Sequence, residues 1–409
     1  MSPSKAATTR RPAVVLDPAK VHAWRIERQL LGRAKATSPE EVARTLIGVQ
    51  AQVTSMAALA IALRSKPGRG KAQAKGPATD ATTIALRERR LVRSWAMRGT
   101  LHLFAAEDVP TVAAALGGKD SWRRPAWLRW FGVTEPEMDA LIDAIGDVLD
   151  DGRPRTRAEL ADEIGTRLGA RQGKLLLGSW GSTLKVASDR HYLVQSSADE
   201  AGTRFVRASR WLGRWREETV AEALTKLVPR YLAAYGPATF KEVLRWWGVT
   251  TVVTMKPIFA ALGDALTEVE VDGTRAMART ADLDAIRSTR PRKGAVQLVG
   301  GFDAMIVGAG LREQLLPPAH LKRVSRTAGW ISPVVLVDGR AAGVWDSRRT
   351  AKGLAITVDP FDRPSSADRA AMAIAAERVG AAVGLDVQVD FGRVFTGKGR
   401  ELVIEPGDA

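Results

Sequence analysis

Apolar side chains recur three and four residues apart over the first part of the chain, which predicts a helix at Val21–Gly32. A second helix is announced by Ser38-Pro39-Glu40-Glu41, a cap, a proline in the first turn and a glutamate three after the cap; it runs to about Gly48. Thr54 or Ser55 can cap a third helix, and a fourth covers Ala81–Arg90. The period then changes from helical to alternating in LVRSWAMRGTLHLF, which predicts a β-hairpin turning at Arg98-Gly99. Between the third and fourth helices, Lys66–Asp80 is rich in Gly, Lys and Pro and is expected to be a mobile loop insertion.

Helices followed by a hairpin is the wiring of a winged helix, and the order returns twice. The capping box at Thr156/Glu159, a helix over Arg171–Arg190, and the segments HYLVQSS and TRFVRAS form the second set. Helices at Glu222–Tyr235, Thr239–Trp247 (with a second box, Thr239/Glu242) and Thr251–Leu262 lead into the third hairpin, which turns at Asp272-Gly273. From Gly294 the pattern shifts to short strands, a second Asp-Gly turn at Asp338-Gly339, and one capped helix, Ser366–Val383. The expected fold is therefore α+β: three tandem winged-helix modules over 21–150, 151–218 and 219–290, then a β-rich module over 291–409, with a disordered basic leader over 1–20.

Charge changes this picture by suggesting a partner. The chain carries 61 Lys+Arg against 45 Asp+Glu, a net +16 that suits a polyanion. Residues 64–98 hold ten basic and two acidic side chains, while 359–409 hold six and nine, so the positive field lies toward the first quarter. With no cysteine and with His22, His102, His191 and His320 far apart, no metal site or disulfide is expected. The twin arginine near the start precedes a five-residue apolar stretch, too short for a secretory core, and no run is long enough for a membrane helix. A cytoplasmic, nucleoid-associated protein is expected.

LIGVQAQ, LVRSWAMRGTLHLFAAEDVP, RYLAAYGPATFKEVLRWWG, GGFDAMIVG and PVVLVDGRAAGVW, in this order, resemble the AlkZ-like DNA glycosylases, from about Val21 to Val383. The resemblance implies three winged helices around a concave DNA-binding surface, excision of N7-alkylated guanine from duplex DNA, and crosslink unhooking in some members. The family's Gln-x-Gln motif falls on Gln50-Ala51-Gln52. The insertion at Lys66–Asp80 departs from its pattern.

Two glutamines suffice for this chemistry because N7 alkylation makes the base cationic and a good leaving group. What remains is to hold water against the anomeric carbon, and an amide offers one acceptor and two donors for that purpose. Gln50 and Gln52 share one side if the segment is extended, but lie about 200° apart on a helix. With nine glutamines in the chain, a Gln-x-Gln arises by chance in roughly one such chain in five, so position carries the assignment.

Arg93, Arg98 and His102 on the first hairpin are candidates for phosphate contact, surface charge and a core histidine being the alternatives. Lys185, Arg245 and Arg340 are further DNA-binding candidates, Arg340 at the tip of a hairpin Val334–Trp345 that would press beside a lesion. Trp95, Trp246 and Trp247 could stack on DNA but read more readily as core, and Asp303 in GGFDAM could be a catalytic carboxylate but reads more readily as a turn cap. No cofactor is expected, and a monomer fits three non-identical modules. The alternatives are a winged-helix regulator without chemistry and a basic RNA-binding scaffold.

Overall fold

The computed structural model describes residues 14–66, 77–117, 121–178, 182–199, 202–213, 215–248 and 251–394. It is a mixed helix-and-sheet structure in which helices are followed three times by an antiparallel hairpin. Helices Pro39–Thr45, Thr54–Ala62 and Asp80–Arg87 precede strands Leu91–Trp95 and Leu101–Ala105. Helices Arg157–Leu168, Ala170–Leu177 and Ser182–Asp189 precede Val194–Asp199 and Gly202–Val206. Helices Val220–Tyr235, Phe240–Trp247 and Val252–Leu262 precede Leu266–Val271 and Thr274–Arg279. Asp272 and Gly273 have φ of 47° and 70° at the third turn, the left-handed pair that a two-residue hairpin demands.

Local signals set the helix starts. Thr156 and Thr239 each accept the N–H of the glutamate three residues on, whose carboxylate returns to the threonine N–H. Thr134/Glu137, Thr219/Glu222 and Ser365/Asp368 repeat the device. The helix after the Gln-x-Gln motif differs from expectation: its N-cap is Val53, with no side-chain cap from Thr54 or Ser55. The single helix expected over Arg171–Arg190 is two, because Gly178 turns extended (ψ 172°) after Leu177.

Two larger differences come from pairing across the chain. Within the span expected as a disordered leader, Val14–Leu16 is a strand lying parallel to Leu266–Val271, and Asp17 caps helix Pro18–Arg28; residues 1–13 lie outside the described residues. That helix packs on the third unit, with Arg28 and Gln29 donating to the Ala233 and Ala234 carbonyls. The first two hairpins also share one six-stranded sheet, joined where Arg93 pairs with Gln195. Of the insertion Lys66–Asp80, residues 67–76 lie outside the described residues.

The C-terminal unit is a five-stranded sheet with helix Ser366–Val383 packed on it through Met372, Ala376 and Val379. The hairpin Val334–Trp345 contributes interior strands of that sheet and is no free wedge. Val334, Val335, Leu336 and Trp345 have no exposure, the Trp345 indole donates to the Val299 carbonyl, and Gly339 at the turn packs on the His22 backbone.

This unit is fastened to the first by an ion pair with no exposure on either side. Arg64 gives Nη1 and Nη2 to the two Asp303 oxygens at 2.8 and 2.7 Å and its Nε to the Gln29 carbonyl. Asp303 also caps helix Ala304–Val307 by accepting the Met305 N–H, the structural role expected for it. Asp303→Asn would leave a buried guanidinium without its counter-charge, and should cost about 3 kcal/mol in urea unfolding. Replacing both partners with Met and Leu should cost less; equal losses would contradict this role.

Candidate active site

The backbone around Gln50 is shaped by the residues before it. Helix Pro39–Thr45 is stopped by Leu46 and a left-handed Ile47 (φ 52°), and Gly48 at φ 90° redirects the chain into strand Val49–Gln50. A Cβ on Gly48 would lie 2.4 Å from Phe104 Cε1, so the turn needs glycine both for its φ and for its packing. The chain is extended at Val49–Gln50, with Gln50 opposite His102 on strand Leu101–Ala105, and it bends at Gln52 and Val53 before the next helix.

Gln50 and Ala51 have firm partners, and Gln52 has only a long contact. The Ala51 N–H donates to the Leu101 carbonyl at 2.7 Å, and the Ala51 carbonyl accepts from Arg93 Nη2 at 3.1 Å. Gln50 is 7% exposed and its Oε1 accepts from Arg98 Nη2 at 2.8 Å. Gln52 is exposed, and its Oε1 has a long 3.4 Å contact from the Leu101 N–H. No Asp or Glu occurs between residues 42 and 66 or between 89 and 106, so neither the motif nor the hairpin it pairs with supplies a carboxylate. Lys35, partly buried and lowered by desolvation to a pKa of about 8, donates to the Leu30 and Leu63 carbonyls.

The residues expected to face phosphate from the first hairpin turn inward. Arg93 clasps the motif's backbone, and Arg98 spans from Gln50 to the Trp246 carbonyl of the third unit. His102 is 2% exposed with its Nδ1 at 3.0 Å from the Thr100 carbonyl, so the core-histidine alternative describes its placement. Arg245 is exposed, with one bond to the Ala309 carbonyl; Lys185 is partly buried on helix Ser182–Asp189; Arg340 is exposed beside the docked Gly339. Trp95, Trp246 and Trp247 are core residues, Trp95 stacked on Phe205 of the second unit.

Burial, with the Arg98 charge adding to it, holds His102 at a pKa of about 3, and burial with Arg25 and Arg340 does the same to His22. Neither imidazole is charged at neutral pH. In the unfolded chain both return to about 6.5, so below that pH the unfolded state binds two more protons and stability falls. These two groups should make the protein ~3 kcal/mol less stable at pH 5.5 than at 7.5. Urea midpoints unchanged over that range would contradict their burial.

Sequence reading missed the Arg98 link, which joins residues far apart in the chain. It also passed over a basic stretch, Arg348-Arg349-Thr350-Ala351-Lys352, in which Arg348 and Arg349 stand exposed at the end of strand Arg340–Thr350 and Lys352 is exposed in the turn before strand Gly353–Pro360. The run of cations before Gly353 was its available signal. Among the described residues no group of His, Asp and Glu could hold a metal ion, and no helix is long and apolar enough to cross a membrane.

The profile of the family described as DNA glycosylase AlkZ-like matches residues 43–382. An interstrand DNA cross-link repair glycosylase of Streptomyces sahachiroi is 36% identical over 337 residues, covering 80% of this chain and 87% of its own. The solved structure of the Streptomyces sahachiroi DNA glycosylase AlkZ superposes with a TM-score of 0.84 at 32% identity, covering 92% of this chain and 100% of that one. Matches over this much of the chain, in sequence and in structure, place it in one family: the protein belongs to the AlkZ-like DNA glycosylases.

Proposed function

We propose that this protein is a monofunctional DNA glycosylase that hydrolyses the N-glycosidic bond of N7-alkylated, cationic purines in duplex DNA and unhooks interstrand crosslinks made through such bases. The observation that carries the reading is a Gln50-Ala51-Gln52 segment clasped by Arg93 and Arg98, with no carboxylate in the motif or in the hairpin it pairs with. Such a site orients water but offers no strong base and no acid for the leaving purine, which suits a base that already carries its charge. The three helix-then-hairpin units are read as winged helices that a monomer lays along duplex DNA, with Lys185, Arg245 and Arg340 as phosphate contacts. The cross-link named for the Streptomyces relative supports extending the substrate to unhooking, and its being a glycosylase disfavours a regulator without chemistry.

In this mechanism Gln50 and Gln52 hold a water on the face of the deoxyribose opposite the departing base. As the glycosidic bond lengthens, the electron pair goes to the cationic purine, which leaves neutral, and the water adds to the oxocarbenium-like sugar, releasing one proton to solvent as the C1′ hydroxyl forms. The product is an abasic site. Incubation with a duplex carrying N7-methylguanine, followed by alkaline cleavage, should reveal abasic sites, and borohydride should trap no covalent complex. A trapped adduct would require a lysine nucleophile and would overturn the monofunctional assignment.

A further inference from the structure

We propose that Arg98 is a positioning residue that fixes the Gln50 amide with its oxygen turned inward, so that Gln50 meets the substrate as a hydrogen-bond donor and Gln52 is left as the acceptor. The inference rests on the reading of Gln50 and Gln52 as the hydrolytic pair.

An amide can be turned either way, but not against an arginine. A guanidinium carries donors and no acceptor, so the Gln50 atom 2.8 Å from Arg98 Nη2 is necessarily the oxygen. The amide nitrogen Nε2 then points away from Arg98, and no hydrogen-bond partner for it is found among the described residues. Its two protons can hold the lone pair of a water or a sugar oxygen. Gln52 has the opposite character: its Oε1 is engaged by no more than the 3.4 Å contact from Leu101 N–H, and the residue is exposed, so its oxygen can turn to accept a hydrogen bond from the attacking water.

Arg98 is itself held from the far side. Its Nη1 donates to the Trp246 carbonyl at 2.8 Å, at the end of helix Phe240–Trp247. Gly248 packs so closely that a Cβ there would lie 2.9 Å from the Arg98 N, Cα and Cγ. Arg98 also sits in the left-handed region at φ 57°, a conformation that a non-glycine residue keeps when its surroundings impose it. One side chain thus transmits the seating of the third unit to the orientation of a single amide.

The test is a set of single variants assayed under single turnover on an N7-methylguanine duplex, with duplex affinity and thermal unfolding measured in parallel. Gln50→Glu keeps an oxygen for Arg98, with which it forms an ion pair, but has no protons to donate; it is expected to fold as the wild type does and to excise no better than Gln50→Ala. Gln52→Glu keeps an acceptor and is expected to excise faster than Gln52→Ala. Arg98→Met is expected to lower the maximal rate by about 100-fold while changing half-saturation little, the cost of a misplaced group. If Gln50→Glu excises at the wild-type rate, or is rescued relative to alanine while Gln52→Glu is not, the donor and acceptor roles are overturned. A folded Arg98→Met with wild-type excision overturns the positioning role alone. Wild-type excision by both alanine variants would instead overturn the underlying site and the inference with it. Because Gln50→Glu leaves Arg98 paired, it decides the matter even if Arg98→Met unfolds.

Discussion

Replacing both Gln50 and Gln52 with alanine is expected to lower single-turnover excision of N7-methylguanine by ~1,000-fold or more, the scale of losing preorganised polar groups around a developing charge. The fold should survive the change. Gln52 is exposed and packs in no core, and the Gln50 backbone is held by the strand pairing to His102 and by the Ala51–Leu101 bond, neither of which needs the amides. Loss of the Gln50 oxygen leaves one Arg98 N–H without its partner, a cost of about 1–3 kcal/mol that solvent entering the vacated space would reduce. Duplex affinity should change little, since neither side chain is charged. A folded double variant that excises at the wild-type rate would remove these residues from the reaction.

The second large effect concerns the charge of the lesion. General acid catalysis supplies typically 10²–10⁴-fold in reactions that must protonate a leaving group. Here the motif and its hairpin carry no carboxylate, and His102 is held neutral by burial at a pKa of about 3. An uncharged base therefore departs without help, and 8-oxoguanine, hypoxanthine and uracil are expected to be released at least ~1,000-fold more slowly than N7-methylguanine from the same duplex position. N3-alkyladenine, also cationic, should be a substrate. A panel of duplexes with single defined lesions measures this directly, and efficient release of any neutral base would point to an acid outside the motif.

Much of the local structure was legible because its causes are local. The boxes at Thr156 and Thr239 satisfy N–H groups within one turn, and Asp272-Gly273 supplies the two left-handed residues of its hairpin, so each could be read from neighbouring letters. The end of the helix before Gln50 was visible in Gly48 for the same reason. What escaped was set at long range. Val14–Leu16 is ordered by Leu266–Val271, and the first two hairpins form one sheet through a bridge between Arg93 and Gln195. The hairpin Val334–Trp345 read as exposed from its Asp-Gly tip, yet it is buried because strands on both sides cover it.

The site followed the same division. The motif could be found in the sequence, as could the extended start at Gln50, since Gly48 ends the helical stretch just before it. The arginines around it could not be placed, because alternation on a hairpin says which side chains share a face but not which face meets protein. Arg93 and Arg98 proved to be the clasp of the motif rather than its rim, and exposed cations lie elsewhere, among them Arg245, Arg340 and those of the stretch from Arg348 to Lys352.

The most direct test of hydrolysis by the two glutamines is to follow release of the free base itself. Mass spectrometry of a reaction on duplex DNA with one N7-methylguanine, under single turnover, should detect free N7-methylguanine in an amount equal to the abasic sites formed. The double alanine variant, bound to the same duplex with similar affinity, should release it no faster than DNA alone. Duplex binding by the wild-type protein without any base released, or equal release by the variant, would contradict the account.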